Sequence, residues 1–345
     1  MLCENTVFAK NRQTLAICGL LVVLTILIIA GAGIGASFMP PERVIAALLG
    51  EGKRADYIIL WKLRLPRVLL ALLSGCALAL AGAILQRTVR NPLAAPSVLG
   101  VTDGTAVGTL VFLWLISDQT SALQLSIHWM PVASIVGALL FTLVTGALTL
   151  SDPKRSPLSL ILYGIAMAAL AKALVVLLMI LGPIHRASQA KIWLTGSVST
   201  AHWSDVAILF GALAVALPLL GCMARSLFQL RLDPLTARAT GLNLGRSQLV
   251  LLLLSVYLTS IAVAFVGALG FVGLVSPHIA RLIVGEKVAS YLAVTALSGA
   301  ALVLAADIIA RVSLPPLELP AGALTAFISA PLFLFLLTKR RAINA

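Results

Sequence analysis

The sequence predicts an all-α, polytopic membrane protein with about ten transmembrane helices. Three observations carry that expectation. Of 345 residues, 60% are hydrophobic and only 11% charged, whereas soluble domains carry charge on about a quarter of theirs. The apolar runs are long and continuous, unlike the short alternating segments of a β-barrel. Gly and Ala are frequent inside those runs, as they are where helices pack closely in lipid.

Lys10 and Arg12 precede the first run, 14–38. Ala30-Gly31-Ala32 offers a small-residue cleavage site, but the run is long for a secretory core, so the first helix is expected to be retained. Further runs lie at 66–86, 93–115, 129–150, 157–181, 204–224, 247–266, 269–285, 288–310 and 321–338. The third and eighth are the least regular: Asp103 interrupts one, and a Gly-rich stretch opens the other. An even number of crossings puts both termini on one side, and the positive-inside rule makes that side cytoplasmic. Inside fall Arg87, Arg90, Lys154, Arg155, Arg225, Arg231, Arg238, Arg246, Arg281, Lys287 and Lys339-Arg340-Arg341. Outside fall Arg43, Lys53, Arg54, Lys62, Arg64, Arg67, Arg186, Lys191 and Arg311.

The net charge of +13 is therefore spread between spans and does not describe a nucleic-acid surface. Cys3, Cys18, Cys76 and Cys222 have no paired spacing, which gives neither a disulfide framework nor a zinc site. No segment between runs is long enough to fold alone, so 1–345 is read as one transmembrane domain. An echo between Ala71-Leu-Leu-Ser-Gly-Cys-Ala-Leu-Ala-Leu and Ala296-Leu-Ser-Gly-Ala-Ala-Leu-Val-Leu is too faint to define a repeat.

No Walker A pattern, His-Glu-x-x-His pair or paired carboxylates occur within a span, so the chain is not read as an enzyme. Five features remain. Arg64-Leu-Pro-Arg67 is either a snorkelling pair at the interface or a rigid basic patch facing carboxylates of a partner, with Pro66 suited to a helix's first turn. Gln86 to Asn91-Pro92 and on to Gly100 is a turn or a broken pathway element, since non-helical backbone at membrane depth needs protein or a cavity beside it. Gly267 to Arg281 carries Gly273, Pro277 and His278; a structural role for the histidine outweighs proton transfer, with no acid near it in sequence. Asp307 and Arg311 are spaced for an intrahelical pair, leaving a docking role for Arg311 open. Lys172 lies deep in the fifth run among small residues and is expected to face a cavity.

The polar stretch Arg225–Arg246 is the largest such interruption of the second half. Asp233-Pro234 reads as a helix start, Asp capping and Pro at the first turn.

Together these blocks resemble the FecCD family, the permease subunits of ABC importers for ferric siderophores, ferric citrate, haem and vitamin B12. The resemblance rests on Arg64-Leu-Pro-Arg67, Asn91-Pro-Leu-Ala-x-Pro-x-x-Leu-Gly100, Gly270-Phe-Val-Gly-Leu-Val-x-Pro-His-Ile-x-Arg281, Ala306-Asp-x-x-Ala-Arg311, Glu318-Leu-Pro-x-Gly322 and Ala330-Pro331-Leu-Phe333. It implies a type II importer permease fold, a second permease subunit (a copy or a paralogue), cytoplasmic ABC ATPases that hold ATP and Mg, and a periplasmic or lipid-anchored substrate-binding protein. No cofactor or metal on this chain is implied. On that pattern Arg64, Arg67 and Arg311 receive the binding protein, and 230–246 forms short helices in an ATPase cleft through Asp233, Pro234, Ala237, Arg238 and Gly241. Gln86, Asn91, Pro92, Lys172, Gly273, Pro277 and His278 are candidates for the pathway or its gate. The stretch from Leu317 to Ala326 looks closest to carriers of iron(III) carboxylates or siderophores, in a bacterial inner membrane.

The sequence departs from the family at Asp233, Thr240 and Ser329, and at Asp103 and Thr105 around Gly104. An ion-coupled secondary transporter is the alternative, but it needs acids near the midplane, and Asp307 lies toward one end of its run.

Overall fold

The computed structural model describes residues 2–35, 37–115, 129–152, 157–181, 194–285, 288–314 and 318–344, and no strand occurs among them. Among the described residues, seven helices are long and apolar enough to cross a membrane, and three more apolar helices are shorter: Val101–Leu115, Val272–Val284 and Ala321–Phe335. Each predicted run falls on one of these segments. Lys154, Arg155, Arg186, Lys191 and Lys287 lie outside the described residues, as does Pro315–Leu317.

Helix α1 (Leu2–Gly33) is followed by an amphipathic α2 (Pro41–Leu48) that buries Val44 and Ala47. Helix α3 (Arg54–Ile58) runs through a π-helical turn, Ile59–Arg64, directly into α4 (Leu65–Thr88). Pro66 thus sits in the first turn of α4 as expected, but that turn continues a helical rod instead of starting one. The reason is local: Pro66 lacks an N–H and its ring crowds the preceding turn, and a widened π turn just before it relieves both demands.

Helix α4 is the axis of the fold. Its apolar window is 78% buried, against 11% for α1, so α4 is enclosed by the bundle while α1 lies on its outside. Between helices in lipid the drive is packing rather than expulsion of water, and small residues supply it. A Cβ on Gly82 would overlap the Gly273 carbonyl, and one on Gly75 would overlap the Gly299 backbone. The two Ser-Gly segments of the faint sequence echo are therefore in contact, pressing α4 against α12 (Val288–Ser313). Ser255 of α10 (Leu244–Val266) adds a hydrogen bond to the Ala81 carbonyl at 2.8 Å.

Two chain breaks shape the interior. After α4 the backbone turns at Arg90 (φ 54°) and Gly100 (φ 73°) before α5 (Val101–Leu115), so the third span is shorter than the 93–115 run. Helices α6 (Met130–Ser151), α7 (Pro157–Leu181) and α8 (Trp203–Gln229) follow. A six-residue α9 (Pro234–Ala239) precedes α10. The second break, Gly267–Phe271, leads into α11 (Val272–Val284), and α13 (Ala321–Asn344) closes the chain.

Non-helical backbone at depth needs its polar groups satisfied internally, and these segments satisfy one another. Ser197 N–H donates to the Val266 carbonyl at 2.9 Å, and Gly322 N–H to the Gly196 carbonyl at 3.0 Å. The Trp203 and Trp61 rings lie 6.1 Å apart and tilted near one end, with Trp203 Nε1 donating to the Trp61 carbonyl at 2.7 Å. Indoles of this kind mark a membrane interface.

Candidate functional site: two polar ends and a cavity between them

At the Arg67 end, one buried acid organises two arginines. Asp307 is fully buried. It accepts from Arg67 Nε at 2.9 Å and from Arg311 Nε at 3.0 Å, and the Arg311 Nη2–Asp307 pair is shorter still. Arg67 Nη1 also reaches Glu318 at 3.0 Å, and the Glu318 side chain is 44% exposed. Arg64 carries no acid partner among these; its Nη1 donates to the carbonyls of Ala32 (2.7 Å) and Gly33 (2.8 Å), and its Nη2 to that of Ser37. Arg311 Nη1 adds Gly31 at 3.2 Å. The three guanidiniums thus tie the ends of α1, α4 and α12 to the entry of α13.

This geometry bears on the expected docking patch. All three arginines are buried, so they are not snorkelling heads in water. Direct pairing with a partner's carboxylate requires one of these bonds to open first, and the half-exposed Glu318 is the group most easily displaced. The intrahelical Asp307–Arg311 pair forms as its spacing predicts, with Arg67 added from 240 positions away.

Midway along α4, near Leu78, lies a cavity of about 650 Å³. The Gly267–Phe271 break forms one wall and the first turns of α5, α11 and α13 reach it through Asp103, Gly273 and Gly322. Its polar side chains are Ser97, Thr102, Asp103, Lys172, Thr195 and Thr259. Lys172 is exposed and lines the cavity as expected, while Asp103 is partly buried. The volume lies within the roughly 300–1,000 Å³ of small-molecule sites.

Of the other predicted pathway residues, only Gly273 joins Lys172 in the cavity wall. Gln86 lies deeper toward the Arg87 end, with Nε2 at 3.4 Å from the Gly273 and Leu274 carbonyls and Oε1 at 3.4 Å from Arg281 Nη2. Asn91 Oδ1 accepts from Leu93 N–H at 2.9 Å, so Asn91 and Pro92 build the turn that ends α4. Pro277 and His278 are buried within α11, the imidazole edge-on to Phe333 at 5.7 Å. Asp103, Ser97 and Thr259 were not singled out as site residues. For Asp103 a signal existed, because an ionisable residue in an apolar run is a site hypothesis by default.

At the Arg87 end, the Arg87 guanidinium lies 4.2 Å from the Tyr291 ring centroid. Nearby, the polar stretch 230–246 forms one short helix, α9, and a turn, rather than several helices. Asp233 caps α9 by accepting from Leu235 N–H at 3.1 Å, and Asn243 caps α10 by accepting from Arg246 N–H at 3.1 Å. Gly241 (φ 83°) makes the turn between them. Leu230, Ala237 and Leu242 are buried in the main core, which seats the block firmly. Asp233, Pro234, Arg238 and Gly241 stay exposed, and Leu235 presents an apolar side chain that is 75% exposed.

A multi-pass helical protein with a polar-lined cavity at mid-depth and a rigid, exposed block at one end has the architecture of a membrane transport subunit. The chain belongs to the FecCD transport family, whose profile matches residues 21–339. Among curated proteins it is 40% identical to the Bacillus subtilis "Probable siderophore transport system permease protein YfhA", covering 96% of this chain and 97% of that one. It is 37% identical to the Fe(3+)-citrate import system permease protein YfmE of the same organism, covering 97% and 98%. A solved structure described as an inward-facing metal-chelate type ABC transporter matches with a TM-score of 0.82 at 31% identity, over 94% of this chain and 98% of that one. The chain is thus an ABC importer permease subunit, as its motifs indicated.

Proposed function

We propose that this permease carries an iron(III) chelate of siderophore type across a bacterial inner membrane, with both termini cytoplasmic. Substrate affinity resides in an external binding protein, and energy comes from cytoplasmic ATPases that hold ATP and Mg. The observation that carries this reading is the full-length likeness to siderophore and ferric citrate permeases, in a chain without a nucleotide-binding motif.

The exposed α9 block is the coupling surface. Pro234, Leu235 and Arg238 enter an ATPase cleft, while buried Leu230, Ala237 and Leu242 transmit its movement to α8 and α10. A second permease subunit completes the pathway. The binding protein docks at the Arg67 end, where Arg64, Arg67 and Arg311 shape the surface and Glu318 yields Arg67 to an incoming carboxylate.

A deletion strain tests the reading. Iron-starved cells lacking this chain should lose uptake of radioactive iron supplied as its chelate, and the gene in trans should restore it. Undiminished uptake of every ferric chelate offered would refute the assignment.

A further inference from the structure

The mid-depth cavity carries a cation and an anion that the coupling and docking account does not use. Lys172 on α7 and Asp103 on α5 both line it, and they are near enough to interact electrostatically. No ion pair between them within 4.0 Å occurs among the described residues. They therefore flank open space rather than closing on each other.

The charges are not equivalent. Asp103 lies in the first turn of α5, where the positive end of the helix dipole supports a carboxylate. α11 and α13 also begin at the cavity wall, and their N-terminal ends add the same sign of field. Lys172 sits in the middle of α7, more than two turns from either end, where no terminal dipole offsets its charge. Lys172 is exposed whereas Asp103 is partly buried, so the lysine is the more accessible of the two charges, and the three helix N-termini favour an anion beside it.

We propose that the cavity holds an anionic, carboxylate-bearing iron(III) chelate in transit. Lys172 is the specificity-determining residue and takes a carboxylate oxygen of the chelate. Asp103 is the counter-ion that Lys172 otherwise faces. This inference rests on the chelate-importer reading and narrows it to carboxylate chelates over neutral hydroxamates.

The test uses the intact transporter in lipid, with Ser97→Cys as a reporter in the cavity wall. An anionic sulfonate thiol reagent and a cationic trimethylammonium analogue are compared by labelling rate, against the parent bearing only its native cysteines. Lys172→Met should lower the anionic-to-cationic rate ratio about fivefold, as expected for losing one charge several ångströms away. Asp103→Asn should raise it, and Lys172→Arg should leave it near the parent value. Ferric citrate should slow labelling in the parent and lose that protection in Lys172→Met, while a neutral ferric trihydroxamate should protect neither.

Unlabelled Ser97→Cys, a ratio indifferent to both charge changes, or equal protection by the neutral chelate would overturn the proposal. Labelling does not depend on ATP-driven uptake, so failure of the importer reading would show separately, as absent transport with the labelling pattern intact.

Discussion

Replacing Asp307 with asparagine removes the one charge shared by Arg67 and Arg311 while keeping the side chain's shape. Both guanidiniums are buried and both bond to this carboxylate. Losing one partner of a buried pair costs about 3–5 kcal/mol, because the remaining charge stays buried without compensation. Glu318 still holds Arg67 at 3.0 Å, so about 3 kcal/mol is the expected cost. Glu318→Gln instead breaks a half-exposed pair, worth about 0–1 kcal/mol. At roughly 2–4 °C per kcal/mol, Asp307→Asn should lower the unfolding midpoint by about 6–12 °C. Glu318→Gln should lower it by less than about 4 °C. Tryptophan fluorescence melts of detergent-purified protein, run at one scan rate, compare the two. A larger loss in Glu318→Gln, or an Asp307→Asn midpoint within about 2 °C of the parent, would refute the view that Asp307 is the keystone of that end.

Gly82→Ala should prevent folding, since its Cβ would overlap the Gly273 carbonyl, whereas Gly211→Ala, with nothing within 4 Å, should be neutral; the yield of monodisperse protein after membrane extraction reads both. Asp233→Ala removes the cap of α9 at a cost of about 0.5–2 kcal/mol, and should reduce ATP-driven transport far more than it reduces thermal stability. Leu235→Arg changes an exposed side chain and should leave the melt unchanged while abolishing co-purification with the partner ATPases. Retained co-purification would remove α9 from the coupling surface.

Much of the fold was legible because a span declares itself by length and apolarity within one stretch of chain. All the predicted runs correspond to helices, and Asp233 caps α9 as its place before Pro234 indicated. What could not be read depends on distant neighbours. The Asp307–Arg311 pair follows from spacing four, but the burial of both, and the arrival of Arg67, depend on α4 packing against α12. Arg64-Leu-Pro-Arg67 looked equally like a water-facing patch, because burial leaves no mark on a short basic motif. The π turn before Pro66 was invisible, since a proline at a helix start and one after a widened turn look alike in sequence.

The cavity shows the same division. That Lys172 faces a cavity was legible in its small-residue surroundings, a local signal. Asp103 stood out as an interruption of its run and a departure from the family, but nothing in that run shows that α7 brings a lysine to the same cavity. Gln86, Pro277 and His278 lie outside the cavity wall for the converse reason: they share α4 and α11 with it but sit further along those helices, past Leu78 and Leu274.

Uptake of radioactive ferric chelate into proteoliposomes containing this permease tests the central claim most directly. The account predicts accumulation only when the partner ATPases, their ATP and the binding protein are all present, with none driven by a proton gradient. Gradient-driven accumulation by the permease alone, without ATP, would contradict it.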